Sequence, residues 1–444
     1  MLFDYVGSGM SFTRIVDVDV SKSDSYIKRM NILLDGFNEN HKYIKHSLLY
    51  NAFAEPKFPE IFKNYHNSLY SDSGGLQVIT RGAEITDEVR QKIYETQSEA
   101  DYAFCFDKIP VISQSSVGRI INNQKRFLIV DKIKESGQVT GGYIKEQIEK
   151  FAEMNAKTKV FMIIQGQEVK DFEEFFGGIM DVLPKEYLDK IEGLAPAGSS
   201  SGIGLKFDIN RALAVAKLDL PERIKKRVHI LGAGALNRVI IQKFILEKLI
   251  PGTIVSFDSS THTRLATNGV YYGSGDIFTT PVKKISLPKL AHHNIKEESI
   301  FHHFIAEDIM KMLKELDIDI QSLGYKDKDD LYKWIKINEG LTKTKFLETY
   351  DKKDLENYIF IDFLRYMGSV YNFGNDLGNI VTTGREIEYL TSFKKLKFLS
   401  FLKDAKTYED FDYFLKHFGK ELVEMVYTRI PSEDHLTKQK QCLF

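Results

Sequence analysis

Two aspartates in this chain have neighbours suited to catalysis. Asp72 opens the turn Asp72-Ser73-Gly74-Gly75 at the end of a predicted strand. Paired glycines allow a tight turn and let a planar ligand approach the main chain closely. A carboxylate on such a turn can be partly desolvated, which moves its pKa toward the range useful for proton transfer. The alternative interpretation is an ordinary type I′ or II′ hairpin turn that Asp72 caps.

Asp258 is the second candidate, and it follows the apolar run 253–257. Displacement at a sugar carbon needs one carboxylate that attacks and another group that protonates the departing fragment. Asp72 and Asp258 on opposite sides of one cleft would supply both. Spacing alone does not prove the pair, because the chain has 62 Asp and Glu residues and offers many pairs.

Other polar or glycine residues also come at the ends of predicted strands. These residues are Asp107, Gln165 with Gly166, Gly193 and Gly232. The enzymes built on a (β/α)8 barrel draw their catalytic groups from the carboxyl ends of several strands, so the pattern favours one shared site. Taken singly, a helix N-cap is the more common role for an aspartate such as Asp107, and a strand-end turn is the more common one for Gln165-Gly166.

The elements that would position these residues alternate between strands and helices. Apolar strand runs occupy 102–106, 159–164, 191–195, 228–231 and 253–257, and further strand candidates are 14–20, 30–35 and 46–50. Helices are predicted near 86–100, 143–155, 170–183 and 236–249. Such βαβ repeats form either an open doubly wound sheet or a closed barrel. The strand-end residues favour a (β/α)8 TIM-type barrel, and 231–236 lacks the third glycine of a dinucleotide-binding fingerprint.

The pattern changes after about Pro281. Amphipathic helices without intervening strands are predicted at 297–316, 329–337, 354–367 and 391–403. We therefore expect a barrel over residues 1–285 and a mostly helical C-terminal domain over residues 286–444.

Composition excludes several classes of protein. The chain has 444 residues and a net charge of −1, so a nucleic-acid partner would have to bind a local basic patch. Two cysteines cannot build a disulfide framework or a cysteine-rich zinc site, and the adjacent His302 and His303 would face different sides of a helix. We expect no metal and no other cofactor. The sequence begins without a signal-peptide pattern and has no membrane-length apolar run, which predicts a soluble cytoplasmic protein without a membrane partner.

Six short segments resemble, in order, the motifs of the tRNA-guanine transglycosylase family. Ser71-Asp72-Ser73-Gly74-Gly75-Leu76-Gln77-Val78 resembles its Asp-Ser-Gly-Gly-aromatic-Gln-Val signature. The others are similar to its Phe-Asp-Glu, Val-Gln-Gly, Gly-Gly-Leu-Ala, Leu-Met-Gly-x-Gly and Phe-Asp-Cys segments. In this chain they are Phe106-Asp107-Lys108, Ile164-Gln165-Gly166, Gly193-Leu194-Ala195, Leu231-Gly232-Ala233-Gly234 and Phe257-Asp258-Ser259. Thr263-Arg264 follows as in the family's Pro-Thr-Arg.

The resemblance implies base exchange through a covalent intermediate. Asp258 would attack C1′ of a guanosine, and Asp72 would protonate the departing guanine and later take a proton from an incoming 7-deazaguanine. Asp107 and Gln165 would bind the edge of the base, helped by Ser73, Gly166 and the backbone of Gly193 and Leu194. Leu76 and Leu231, next to Gly232, would pack on the two faces of the base. Thr263 and Arg264 would contact the nucleic acid, although a solvated surface charge is an ordinary alternative for Arg264.

Departures from the family pattern indicate a different polymer. Residues 270–330 contain no cysteine, so the structural zinc of the tRNA enzymes and the dimer contact near it are not expected. Thr267 stands where the bacterial enzymes carry a second arginine that reads anticodon-loop bases. The acid after Gly-Leu-Ala that accompanies an aminomethyl substrate is also missing, which favours a neutral 7-cyano or 7-amido group. These losses favour the DNA-acting branch of the family, found in viruses and in bacterial DNA-modification clusters.

Three alternatives stay open at the level of sequence. The chain could be a tRNA enzyme without zinc, a catalytically silent nucleic-acid-binding subunit, or a nucleoside hydrolase in which water replaces the incoming base. If the gene is viral, the compartment is the cytoplasm of the host. Oligomeric state does not follow from the sequence.

Overall fold

The computed structural model describes most of the chain. Its described residues are 3–8, 23–54, 68–74, 85–110, 132–197, 205–233, 235–267, 270–273, 284–286, 300–340, 343–351, 354–392 and 394–428.

Eight parallel strands form a closed barrel. The strands β1 to β8 are Phe3–Ser8, Ile44–Asn51, Leu69–Asp72, Tyr102–Phe104, Lys159–Gln165, Ile191–Ala197, Arg227–Ile230 and Ile254–Ser259. Each strand pairs in parallel with the next, and β8 closes the ring on β1 with Asp4 opposite Ser256 and Val6 opposite Asp258. The predicted TIM-type barrel is confirmed. A separate antiparallel pair joins β9 (Val270–Tyr272) to β10 (Lys284–Ser286).

Helices alternate with the strands and continue after the barrel. Numbered α1 to α14, they are Asp24–Asn40, Asp87–Gln97, Ile133–Glu153, Val169–Val182, Leu205–Lys217, Glu222–Lys225, Leu236–Leu249, Thr261–Thr267, Ile300–Glu315, Lys328–Gly340, Lys343–Thr349, Leu355–Thr382, Glu386–Ser392 and Tyr408–Thr428. Helical 3-10 segments occupy Lys185–Lys190, Ile320–Leu323 and Lys394–Asp404.

Local sequence explains several element boundaries. Thr86 caps α2 as predicted, because its side chain accepts a hydrogen bond from the Val89 N–H. The prediction of a strand at 30–35 is wrong, since this run lies inside α1. Its apolar residues recur at helical spacing and bury one face of the helix against the barrel. The other early strand candidate, 14–20, lies outside the described residues.

The C-terminal helices pack directly on the barrel. Helix α12 is 28 residues long, and most of its residues are buried. Tyr366 on this helix lies 2.7 Å from His46 Nε2 of β2, and the Tyr272 hydroxyl of β9 donates to Asp376 at 2.7 Å. A side chain at Gly374 would meet Ile44, so the helix approaches β2 closely. The barrel and the helical region therefore share one hydrophobic core. The expected boundary after residue 285 falls in β10 and in residues 287–299, which lie outside the described part.

The lower half of the barrel interior is filled by side chains. Rings of Tyr70, Phe104, Phe161 and His229 contact one another, with centroids 4.5 Å apart for Phe104 and His229 and 6.0 Å apart for Tyr70 and Phe104. This ring layer forms a floor. Any ligand that enters the barrel must stop above it, at the carboxyl ends of the strands.

Candidate active site

Three carboxyl groups meet above the floor. Asp72 ends β3, Asp258 lies one residue before the end of β8, and Asp107 comes three residues after β4. The negative charge of Asp258 contributes to raising the pKa of Asp72, and the charge of Asp72 contributes to raising the pKa of Asp107. Since charges interact this way only at short range, the three aspartates belong to one site, as the sequence predicted.

Asp258 is held through one of its two oxygens. The Gly232 N–H donates to Oδ1 at 2.6 Å, and His229 Nε2 lies 3.3 Å from the same oxygen. Gly232 can present its N–H here because it adopts φ +64, a conformation that favours glycine. No described residue donates a hydrogen bond to Oδ2. The second oxygen is therefore the one available to attack an electrophilic carbon.

His229 is a site residue that the sequence reasoning missed. It lies on β7, fully buried, and its Nδ1 is 2.9 Å from Ser256 Oγ. A hydrogen bond from Nε2 to a carboxylate requires a proton on Nε2, and in that tautomer Nδ1 accepts from the serine hydroxyl. The signal was present in the sequence, because His229 alternates with the apolar Val228 and Ile230 and so faces the barrel interior.

Asp72 is poised to exchange a proton near neutral pH. Desolvation raises the pKa of this carboxyl group to about 6, and the backbone N–H groups of Gly74 and Ser73 oppose the rise. Asn51 Nδ2 also donates to Oδ2 of Asp72 at 3.2 Å. Both strands that flank β3 run parallel to it, which rules out the hairpin interpretation of this turn. Gly74 adopts φ +82, and a side chain there would collide with Phe53.

Asp107 and Gln165 form a buried hydrogen-bonding pair. Gln165 Nε2 donates to Asp107 Oδ2 at 2.7 Å, and burial raises the pKa of Asp107 to about 6. Gln165 Oε1 is buried and has no hydrogen-bond partner among the described residues, and the same holds for Ser73 Oγ. Buried polar atoms without partners are rare in folded proteins. Beside a cleft they indicate positions where a polar ligand would supply the missing hydrogen bonds.

The structure places Gly193 and Leu194 elsewhere than predicted. Strand β6 continues to Ala197, which pairs with Gln165, whereas Gly193 pairs with Phe161 at the level of the floor. A side chain at Gly193 would lie 2.8 Å from the Phe161 ring. Leu194 is fully buried in the core. The expectation that these two residues lie at the strand end is corrected: at that level β6 contributes Pro196 and Ala197.

The remaining predicted residues are Leu231, Gly166, Thr263, Arg264 and Leu76. Leu231 is partly exposed directly before Gly232, as a residue that packs on a ligand must be. Gly166 directly follows β5, where its N–H donates to Ala197 O of β6 and a side chain would meet Phe172 at 2.8 Å. Thr263 is buried on α8, directly after β8. Arg264 lies on the same helix, but its side chain, like the whole of Leu76, lies outside the described residues.

Comparison with known proteins adds no family assignment. No protein-family model matches the chain, and a search of curated proteins finds no match.

In the described ranges, no group of three or more His, Cys, Asp or Glu side chains is placed to hold a metal ion. The helices of the described ranges include none with both the length and the apolar character needed to cross a membrane.

Proposed function

We propose that this chain is a base-exchange transglycosylase that replaces guanine in DNA with a 7-deazaguanine. The observation that carries the proposal is the pairing of Asp258, fixed through Oδ1 by Gly232 and His229, with Asp72, whose carboxyl pKa lies at about 6. One group is oriented for attack and the other can give or take a proton. This is the division of labour that displacement at an anomeric carbon requires.

In the first half-reaction, Asp258 Oδ2 attacks C1′ of the target deoxyguanosine. The bond between C1′ and N9 breaks as the glycosyl ester forms, and protonated Asp72 transfers its proton to the departing guanine. A carboxyl pKa near 6 suits this step, because a sizeable fraction of the acid form is present close to neutral pH.

Base recognition is assigned to the Asp107–Gln165 pair. Asp107 uses one oxygen to accept from Gln165, so its second oxygen is available to the N–H groups on the edge of a guanine. The buried Ser73 hydroxyl can donate a hydrogen bond to the same ligand, and Leu231 offers an apolar surface for one face of the ring. A flat purine with several N–H donors fits these groups better than a sugar or a peptide does.

The second half-reaction reverses the first with a different base. The N9–H of the incoming 7-deazaguanine gives its proton to the Asp72 carboxylate, N9 attacks C1′, and the ester bond to Asp258 breaks. Nucleophile and acid return to their starting states, so no further reactant is consumed. No acid follows Gly193-Leu194-Ala195, which supports a neutral 7-substituent. Thr267 in place of a second arginine supports a polymer other than tRNA. Reaching C1′ in a duplex requires flipping of the target nucleotide, or a single strand.

Incorporation of radiolabelled guanine tests the proposal. The protein is incubated with the label and with duplex DNA, single-stranded DNA or tRNA, and the label in each purified polymer is counted. We expect label in DNA, and we expect unlabelled 7-cyano-7-deazaguanine to compete more strongly than the aminomethyl analogue. Label in tRNA alone overturns the DNA assignment, and label in no polymer overturns the exchange reaction. Release of guanine without incorporation would identify a hydrolase.

A further inference from the structure

A buried ion pair connects the outer helices to the Gly232 peptide. Arg238 stands at the start of α7, and its NH1 donates to the Gly232 carbonyl at 2.8 Å. The other guanidinium nitrogens donate to Asp208 of α5, with Nε 3.3 Å and NH2 3.2 Å from Oδ1. One side chain therefore fixes the carbonyl of Gly232, and the N–H of the same residue binds Asp258.

Asp208 is itself rigidly held. Its side chain is fully buried, and it accepts from Arg211 at 2.9 Å and from Gln242 at 3.0 Å. Arg238 is 16% exposed, so water has little access to its bonds with Asp208. Charge-assisted hydrogen bonds of this kind are the strong ones, and a guanidinium fork also restricts orientation.

We propose that Asp208 and Arg238 act together as a brace that positions the nucleophile. The inference rests on the proposed function, because it assigns a role within the same reaction. The brace aligns residue 232 so that its N–H stays on Oδ1 and Oδ2 stays free for C1′. Sequence comparison by motif would not find this pair, since neither residue belongs to any of the six segments.

The brace has its largest effect when the ester bond breaks. As the bond from C1′ to Oδ2 opens, its electron pair returns to the Asp258 carboxylate, and negative charge develops on both oxygens. The Gly232 N–H stabilises this charge without moving, because residue 232 is already held in place through its carbonyl. Arg238 never touches the substrate and is a positioning residue.

Replacement of Arg238 with Met tests the brace against a matched arginine. Arg223 of α6 also binds a backbone carbonyl, that of Ile191 at 2.8 Å, together with Asp189 at 3.2 Å. Ile191 begins β6, at the end of the barrel opposite to the three aspartates. We expect R238M to lower kcat for base exchange by about tenfold to a hundredfold, the usual cost of a nucleophile misplaced by about 1 Å. KM should stay nearly constant because no substrate contact is lost. R223M should leave kcat unchanged.

Two further measurements keep the test decisive. Amide hydrogen exchange over residues 230–238 should be faster in R238M than in the wild type, whatever the activity. D208N and the double variant with R238M should lose about the same activity as R238M alone, because the two residues act as a unit. R238K, which keeps the charge but not the fork, replaces R238M if that variant does not fold. The brace is overturned if R238M leaves amide hydrogen exchange over residues 230–238 unchanged, or if it leaves kcat unchanged. If the wild-type protein is inactive on every polymer, the proposed function is overturned instead.

Discussion

The acidic side chains at the two ends of the barrel have different neighbours. At the amino end, Asp4 accepts from Ser47 Oγ at 2.6 Å and from the Tyr70 hydroxyl at 2.7 Å, so both of its oxygens have partners. Glu192 there lies 3.1 Å from Arg227 and 3.2 Å from Lys159. Each acid has hydrogen-bond donors or cations beside it, and burial still raises the pKa of Asp4.

At the carboxyl end, three aspartates share a site without a lysine or arginine partner in the described ranges. Their neighbours are backbone N–H groups, amides and His229. Burial without a compensating cation raises the pKa of both Asp72 and Asp107 to about 6. At the amino end, by contrast, Glu192 is paired with two cations, Arg227 and Lys159. The grouping of three aspartates without a cation at the carboxyl end supports the proposed reaction there.

Replacement of the nucleophile should lower base exchange far more than replacement of an acid at the amino end of the barrel. We expect D258N to lower base exchange by at least about a thousandfold, as loss of a covalent nucleophile commonly does. It should also abolish the covalent adduct between protein and DNA on a denaturing gel. E192Q changes an acid at the amino end and should retain both. An adduct that persists in D258N would refute the assignment of the nucleophile.

The proton shuttle should show as a pH dependence. Because the pKa of Asp72 is about 6, its acid form grows as the pH falls toward that value. Guanine release in a single turnover should therefore accelerate between pH 8 and pH 6. D72N should slow release by about a hundredfold to ten thousandfold and flatten this dependence. A steep profile that survives in D72N would transfer the role to another group.

Replacement of Asp107 should stabilise the fold, although the proposed function gives this residue a role in binding the base. Its folded pKa of about 6 exceeds the ordinary value of 3.8, so the folded state binds the proton more tightly and loses stability as the pH rises from 3.8 to 6. D107N should raise the free energy of unfolding at pH 8 by on the order of 2 kcal/mol. At pH 4 the gain should nearly vanish.

The control for this stability change is again at the amino end. E192Q should lower the free energy of unfolding by about 1 kcal/mol or less, since Glu192 is partly exposed and pairs with two cations. Urea unfolding at the two pH values measures both variants. A destabilised D107N at pH 8 would mean that Asp107 is not strained by burial.

Gly232 and Gly252 form a closely matched pair at the two ends of the barrel, and their replacement should have the smallest effects. Gly232 adopts φ +64 at the carboxyl end and Gly252 adopts φ +80 near the amino end, and a side chain at either would enter open space. Alanine at each position should cost about 1 kcal/mol of stability through backbone strain alone. Only G232A should lower kcat, because it disturbs the N–H on Asp258. Equal kcat in the two variants would show that this hydrogen bond is dispensable.

Much of the barrel could be predicted because its signals are local. Apolar runs followed by helical periodicity identified β4, β5, β7 and β8, and the polar residue after each run marked Asp107, Gln165 and Asp258. The first strand was missed, and a run of α1 was mistaken for a strand, because short apolar runs fit both periods.

The errors at the site arise from register and from contacts distant in sequence. Gly193 was expected at the end of its strand, yet β6 continues past it through Pro196 to Ala197. His229 was missed because its role depends on the pairing of β7 with β8, which sets it opposite Ser256. Asn51 and Arg238 act through contacts that no local pattern encodes.

The position of α12 has a consequence for synthesis of the chain. This helix covers the outer side of β1 and β2 through Tyr366 and Gly374, although the barrel strands end at Ser259. About a hundred residues must still leave the ribosome after β8 before that side of the barrel is covered. Until then, the apolar surface around Ile44 is exposed to solvent, and a nascent chain stalled in this interval is a natural client for chaperones.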